Sequence, residues 1–182
     1  MLDIFRVSRT LLVLMLLAAG CNPTVSLRSD GDGAQQLEMV RGLVGDWAQL
    51  APDGSDTGIF TSFRETAGGS AIEEVLFGGT DHEMVTIYHV DGGRLMLTHY
   101  CVLANQPRLV ARSQQEPSAI QFDFLDGTGM DPAVDAHMHE ARIEFADKDH
   151  FSAHWTSFSG GESTGVAIFQ MTRVDSSSDS TP

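Results

Sequence analysis

The 182-residue chain is poor in positive charge, with 11 Lys and Arg against 25 Asp and Glu and a formal net charge of −14. A nucleic-acid partner needs a basic footprint for its phosphates, and electrostatic docking on anionic lipid needs one too, so both are excluded. The acidic surface keeps the chain soluble. Cysteine is nearly missing: Cys21 and Cys101 stand far apart and in different contexts. No apolar run reaches the roughly 20 residues that span a bilayer. No Gly-x-Ser-x-Gly is present, so the nucleophile-elbow hydrolases are excluded. Helical periodicity is almost absent, and no internal repeat is visible.

Residues 1–20 read as a removable address. Arg6 and Arg9 form a basic start, and Leu11–Ala19 is a short apolar run. Leu17-Ala18-Ala19-Gly20-Cys21 resembles a bacterial lipobox. In that motif small residues fit the signal peptidase and the Cys thiol is acylated. The usual Leu three places before the Cys is replaced by Ala18. The resemblance implies a chain exported and lipid-anchored through Cys21, on the periplasmic or cell-surface side of a bacterial membrane. Losing Arg6, Arg9 and Asp3 takes the net charge from −14 to −15. With Cys21 lipidated, Cys101 has no disulfide partner and reads as a small buried hydrophobe. Residues 21–33, with Pro and Gly, form a flexible tether. Residues 175–182, DSSSDSTP, form a disordered polar tail.

The folded part is 34–174. A short helix is expected over Ala34–Val44, capped by Asp32 with Gln35 reaching back, with Leu37, Val40 and Val44 on one face. It closes one end of the strand-rich region. That region holds about nine or ten short segments with period-two alternation, separated by turn residues. Every link is short. The pattern is an all-β antiparallel meander, and closing it into an up-and-down barrel removes its exposed edges. A jelly roll is the other architecture the spacing admits.

The central hairpin, Glu83–Leu103, turns at Asp91-Gly92-Gly93. Taking all three as the loop puts Val90 opposite Arg94. Val85, Ile87 and His89 then share the buried face with Leu95, Leu97, His99, Cys101 and Leu103. A two-residue turn at Asp91-Gly92 would put the two apolar faces on opposite sides. The alternation of 137–145 sends His137, His139, Ala141, Ile143 and Phe145 inward. A three-residue loop at Asp147–Asp149 matches that face to Phe151, Ala153 and Trp155.

Gly45-Asp46-Trp47 comes after the helix and opens the first strand, and Arg173 ends the last one with the inward parity of Phe169 and Met171. This pair resembles the Gly-x-Trp signature and closing Arg of lipocalins and related calycin barrels. The resemblance implies a guanidinium stacked across the indole at the barrel floor. The Thr-Asp-Tyr signature and the disulfide of that family are absent, which places the chain beside the main family. The stretches His82–Arg108 and His137–His139 also resemble uncharacterised secreted bacterial proteins.

The favoured function is binding or carrying a small, mostly apolar ligand in the barrel mouth. Its candidate lining is Val85, Ile87, His89, Leu97, His99, Cys101, His139, Ile143 and Trp155. A second reading uses the histidines. Residues two apart in a strand share a side, so His137 and His139 can meet one metal, with His99 as third ligand and an open position left over. Such a set admits zinc and a metal-dependent enzyme. Haem is also admitted, with Met84, Met96, Met130 and Met138 around it. A third reading is a filled barrel that binds only partner proteins.

The residues favour a binder without cofactor over an enzyme. Cys101 and His99 sit two apart on one strand, with Cβ atoms about 7 Å apart, too far for a thiolate–imidazole pair. Asp123 and Glu140 fall on outward faces, as does His154 beside Arg142. Four inward histidines, His89, His99, His137 and His139, would form a polar belt inside the barrel, because unpaired ring nitrogens are costly to bury.

Overall fold

The computed structural model describes residues 31–113 and 116–174. The expected signal segment, Cys21, most of the expected tether and the expected tail lie outside the described residues.

Ten strands form a closed antiparallel up-and-down barrel in which each strand pairs with its neighbours in sequence and the last returns to the first. They are β1 (Gly45–Leu50), β2 (Asp56–Thr66), β3 (Ala71–Leu76), β4 (Met84–Asp91), β5 (Arg94–Tyr100), β6 (Gln106–Ala111), β7 (Ala119–Thr128), β8 (His137–Phe145), β9 (His150–Ser159) and β10 (Glu162–Arg173). One short helix, α1 (Gly33–Arg41), precedes them. The barrel expected from the alternation is therefore present, and the jelly roll is not.

Closure falls where β1 meets β10, with Trp47 opposite Arg173. The Arg173 guanidinium carbon lies 4.2 Å from the Trp47 ring centroid. Its three nitrogens donate to the carbonyls of Gly42, Val44 and Lys148. Trp47 is fully buried, donates from Nε1 to the Leu43 carbonyl at 2.7 Å, and meets Phe151 edge to face. One cation thus ties the segment after α1 to the final strand and to the β8–β9 turn.

The helix lies over the same end. Leu37 and Val40 enter the core, and Gln36 Nε2 donates to the Arg112 carbonyl at 2.8 Å. The helix is shorter than the sequence suggests. Leu43 is buried and Val44 is exposed, and after Gly42 the hydrogen bonds tighten to three-residue steps, from Leu43 N to the Val40 carbonyl and from Val44 N to the Arg41 carbonyl. Asp32 occupies the N-cap position but makes no capping hydrogen bond with its side chain.

The central hairpin departs from expectation by one residue. Asp91 pairs with Arg94, Val90 with Leu95, Tyr88 with Leu97 and Thr86 with His99. The turn is the two-residue Gly92-Gly93, with φ of 54° and 80°. Positive φ at both central positions suits a tight hairpin turn that twists with its strands. Two glycines supply it without strain, so Asp91 stays in the strand. A one-residue slip exchanges the faces of β4. Thr86, Tyr88 and Val90 therefore face the interior, and Val85, Ile87 and His89 face outward. The helix pins this turn. Gly33 N donates to the Gly93 carbonyl at 3.0 Å, and a Cβ on Gly33 would meet that oxygen at 2.6 Å.

The β8–β9 connection is as expected: Ala146 N donates to the His150 carbonyl at 3.0 Å, around a loop of Asp147–Asp149. Phe145 pairs with Phe151, Ile143 with Ala153 and Ala141 with Trp155. The core runs through the barrel as Trp47, Phe63, Ile72, Tyr88, Leu97, Leu109, Phe122, Ile143 and Phe151, among others.

Candidate functional site

One row across the sheet carries the polar interior. Phe63 of β2 pairs with Glu74 of β3, Glu74 with Thr86 of β4, and Thr86 with His99 of β5. Cross-strand partners on one face have neighbouring Cβ atoms, so these side chains stand side by side. All of them are buried, with Glu74 3%, Thr86 0% and His99 1% exposed. Tyr88, two residues along β4, donates its hydroxyl to Glu74 Oε2 at 2.7 Å. Thr86 Oγ1 lies 2.9 Å from His99 Nδ1.

Burial pushes the Glu74 carboxyl up to about 7, against the opposing pull of the Tyr88 and Thr86 hydroxyls. Burial beside Glu74 sends the Tyr88 phenol well above its ordinary value, so it remains a donor. Burial alone lowers His99 to about 4, so its imidazole is neutral at physiological pH. The interior therefore holds a carboxyl pushed up towards neutrality and a neutral imidazole, with Thr86 standing between them in the row, paired across the strands with Glu74 and bonded to His99.

His99 Nδ1 is satisfied by Thr86, whereas its buried Nε2 meets no hydrogen-bond partner among the described residues. The ring packs on Trp155 at a centroid separation of 4.9 Å. Both rings line a cavity of about 40 Å³ with Leu76, Phe77, Met84, Met138, Ala167 and Phe169. This cavity sits at the barrel end opposite α1. An apolar pocket with a single unmatched polar atom is the form small-molecule sites take. Its volume suits a few heavy atoms or the end of a longer molecule. Ligand pockets for larger compounds run to about 300–1,000 Å³, so a whole haem does not fit without displacing the lining.

Of the nine lining candidates, only His99 and Trp155 border this cavity. Leu97 and Ile143 are inward but belong to the packed core. Cys101 is buried, with a free thiol 3.9 Å from the Met84 sulfur. Val85, Ile87 and His89 are turned outward by the hairpin register, opposite Tyr100, Thr98 and Met96.

His137 and His139 form a separate cluster at the same end of the barrel. A bulge at His139 breaks the β8–β9 register between Met138 and Glu140. His137 Nε2 lies 2.9 Å from His139 Nδ1, and His137 Nδ1 donates to the Asp135 carbonyl at 2.8 Å. His139 is stacked between Phe124 and Phe158 at centroid separations of 4.7 and 3.9 Å. Burial and the neighbouring His137 lower its pKa. The two rings hold each other through the nitrogens that a metal would need. His99 is engaged elsewhere, with Thr86 and Trp155. No group of three His, Cys, Asp or Glu among the described residues converges on a metal position. The fully buried His137 thus lies beside His139, as expected, while His99 bonds Thr86 and His89 faces outward, so the four histidines do not form one belt.

His154 pairs with Arg142 on the outer face and contacts Ser152. Asp123 is held by Arg112 and stands opposite Glu140 across β7 and β8.

Sequence reasoning missed Glu74, Thr86 and Tyr88. Residues 71–76, AIEEVL, carry a Glu on each face, so alternation alone does not say which is buried. Glu73 is the outer one and pairs with Arg64.

The fold and this site define a closed meander barrel with a partly polar interior, an architecture compatible with ligand binding. A scan against protein-family models finds no match, and a search of curated proteins finds none either.

Proposed function

We propose that the chain is a lipid-anchored, extracytoplasmic barrel that binds a small, mostly apolar ligand at the end opposite α1. The observation that carries this is His99, which lines an apolar cavity and whose Nε2 is buried without a partner among the described residues. A buried imidazole nitrogen left unmatched costs free energy on the order of 1–3 kcal/mol, which a ligand's polar atom would relieve. The rim supports the reading. Tyr100, Val102, Leu103 and Val134 expose apolar surface around the same end. A lipid anchor at Cys21 would hold such a rim near a membrane, where apolar molecules concentrate.

The test is native mass spectrometry of the mature protein purified without added ligand, and then of His99→Leu. Co-purified small-molecule mass in wild type, lost in the variant, is the expected result. A wild-type spectrum showing only bare protein would favour a filled barrel that meets protein partners. Cys21→Ser tests the address: the protein should leave the membrane fraction.

A further inference from the structure

The row that joins Glu74, Thr86 and His99 does more than fill space. Its hydrogen bonds have a sense, and that sense is fixed by one proton. With Glu74 ionised, the carboxylate accepts from Tyr88 and from Thr86, since it has nothing to donate. The Thr86 hydroxyl proton then points to Glu74, so Thr86 Oγ1 must accept from His99. Nδ1 carries the imidazole proton, and Nε2 presents a lone pair to the cavity. With Glu74 protonated, the acid proton needs an acceptor in a buried site. Tyr88 already donates to one oxygen, and Thr86 is the hydroxyl opposite. The acid donates to Thr86, Thr86 donates to Nδ1, and Nε2 carries the imidazole proton. The net change is one proton: it enters at Nε2, the Nδ1 proton passes to the Thr86 oxygen, and the Thr86 hydroxyl proton passes to Glu74.

We propose that Glu74, acting through Thr86, sets whether His99 Nε2 accepts or donates a hydrogen bond, and so selects which small neutral ligand the cavity holds. Ionised Glu74 leaves Nε2 an acceptor, which rejects a pure acceptor such as a ketone. Protonated Glu74 makes Nε2 a donor, which admits the ketone, while an alcohol, donor and acceptor both, is held in either state. This rests on reading the cavity as a ligand site.

The surroundings isolate the relay. Glu74 faces Phe63 from β2 and Thr86 from β4, and Tyr88 is the titratable group in contact with it. Phe122 of β7 packs against Tyr88. His99 faces Thr86 from β4 and Trp155 from β9, with Cys101 the titratable group two residues along its own strand. The charges of the neighbouring strands lie on the outer face in ion pairs: Arg64 with Glu73 and Arg108 with Asp126. The Glu74 midpoint near 7 places the change within the physiological range, while His99 stays neutral across it. Charged ligands are disfavoured in either state, because the cavity is apolar and His99 resists protonation.

The experiment is NMR of the full chain with isotope-labelled histidine, which reads the tautomer of His99 directly. Spectra are taken at about pH 5.5 and about pH 8.5, on either side of the Glu74 midpoint. The His99 signals are assigned by their loss in His99→Gln. Nε2–H at the lower pH and Nδ1–H at the higher one is the expected result. Acetone and isopropanol, nearly equal in shape, are the probes, monitored through the Trp155 indole and Met138 methyl signals. Acetone affinity should fall about tenfold between the two conditions, the worth of one hydrogen bond, and isopropanol affinity should change less than about twofold. Glu74→Gln donates its amide to Thr86 as the protonated acid does, so acetone binding should become independent of pH. Thr86→Val should abolish the response while leaving the cavity. A His99 tautomer that stays the same across the range overturns the relay, even if both probes bind and the pocket reading stands. A tautomer that changes while neither probe moves a cavity signal overturns ligand selection, and the pocket reading with it.

Discussion

The two ends of the barrel are closed by different chemistry. At the helix end Arg173 spreads over the Trp47 ring and three carbonyls, and Gln36 reaches the Arg112 carbonyl. At the other end His99 Nε2 and the Asn105 side-chain oxygen are buried without partners among the described residues, and a small apolar cavity remains. The Arg173 hydrogen bonds and aromatic packing make the first end a stability element, although Gln49 Oε1, two residues along β1 from Trp47, is also buried without a partner among the described residues. Unsatisfied polar groups beside a cavity make the second a site, since buried polar groups are normally paired.

The largest way to break this contrast is Trp47→Ala. Removing a fully buried indole from the helix end should cost about 3–5 kcal/mol, measured by urea unfolding. A cost no greater than that of Trp155→Ala at the cavity end would erase the distinction.

Next comes Glu74→Gln, read as stability against pH. Glu74 titrates at about 7 in the folded chain and at an ordinary 4.5 when unfolded. Between those values the folded state holds more protons, so its contribution to stability falls as pH rises and is fully lost above about 7. The variant should therefore gain on wild type with rising pH, by roughly 3 kcal/mol at about pH 8.5 and by little at about pH 4. His99 works in the opposite direction. Its folded value near 4 lies below the ordinary 6.5, so its contribution is lost as pH falls between them. Thermal melts of wild type and variant across this range separate the two; parallel curves would mean that Glu74 is not the titrating group.

Arg173→Ala comes third, at about 1–2 kcal/mol from lost stacking and packing. Arg173→Lys should recover little of this, since an ammonium does not span three carbonyls and a ring face. Full rescue by Lys would reduce the floor to simple charge.

The smallest effect is expected at the rim. Saturating zinc should leave the melting temperature of wild type and of His139→Ala alike, because His137 and His139 bond to each other and His99 is not aimed at them. A zinc shift lost in His139→Ala would restore the metal reading.

These contrasts were unevenly legible in the chain. Period-two alternation from Trp47 to Arg173 determined an antiparallel meander, because strand side chains alternate whatever their partners are. The spacing of Gly45-Asp46-Trp47 and the parity of Arg173 with Met171 pointed to the floor for the same reason. His99 was legible as inward because β5 alternates strongly through Leu95 and Leu97. The faces of β4 and β3 were not. In β4 both faces are mixed, so the choice fell to the hairpin loop, and Gly33 packed against the Gly93 carbonyl settles that loop from 60 residues away in sequence. In β3, Glu73 and Glu74 are chemically alike, and only pairing with Thr86 and His99 decides which is buried. At His139 a bulge cancels the parity that grouped it with Ala141. Local pattern thus fixes which residues form strands, since that depends on the chain's own geometry. Which side of each strand faces inward depends on one-residue register between distant segments, and that was decided only when the barrel closed.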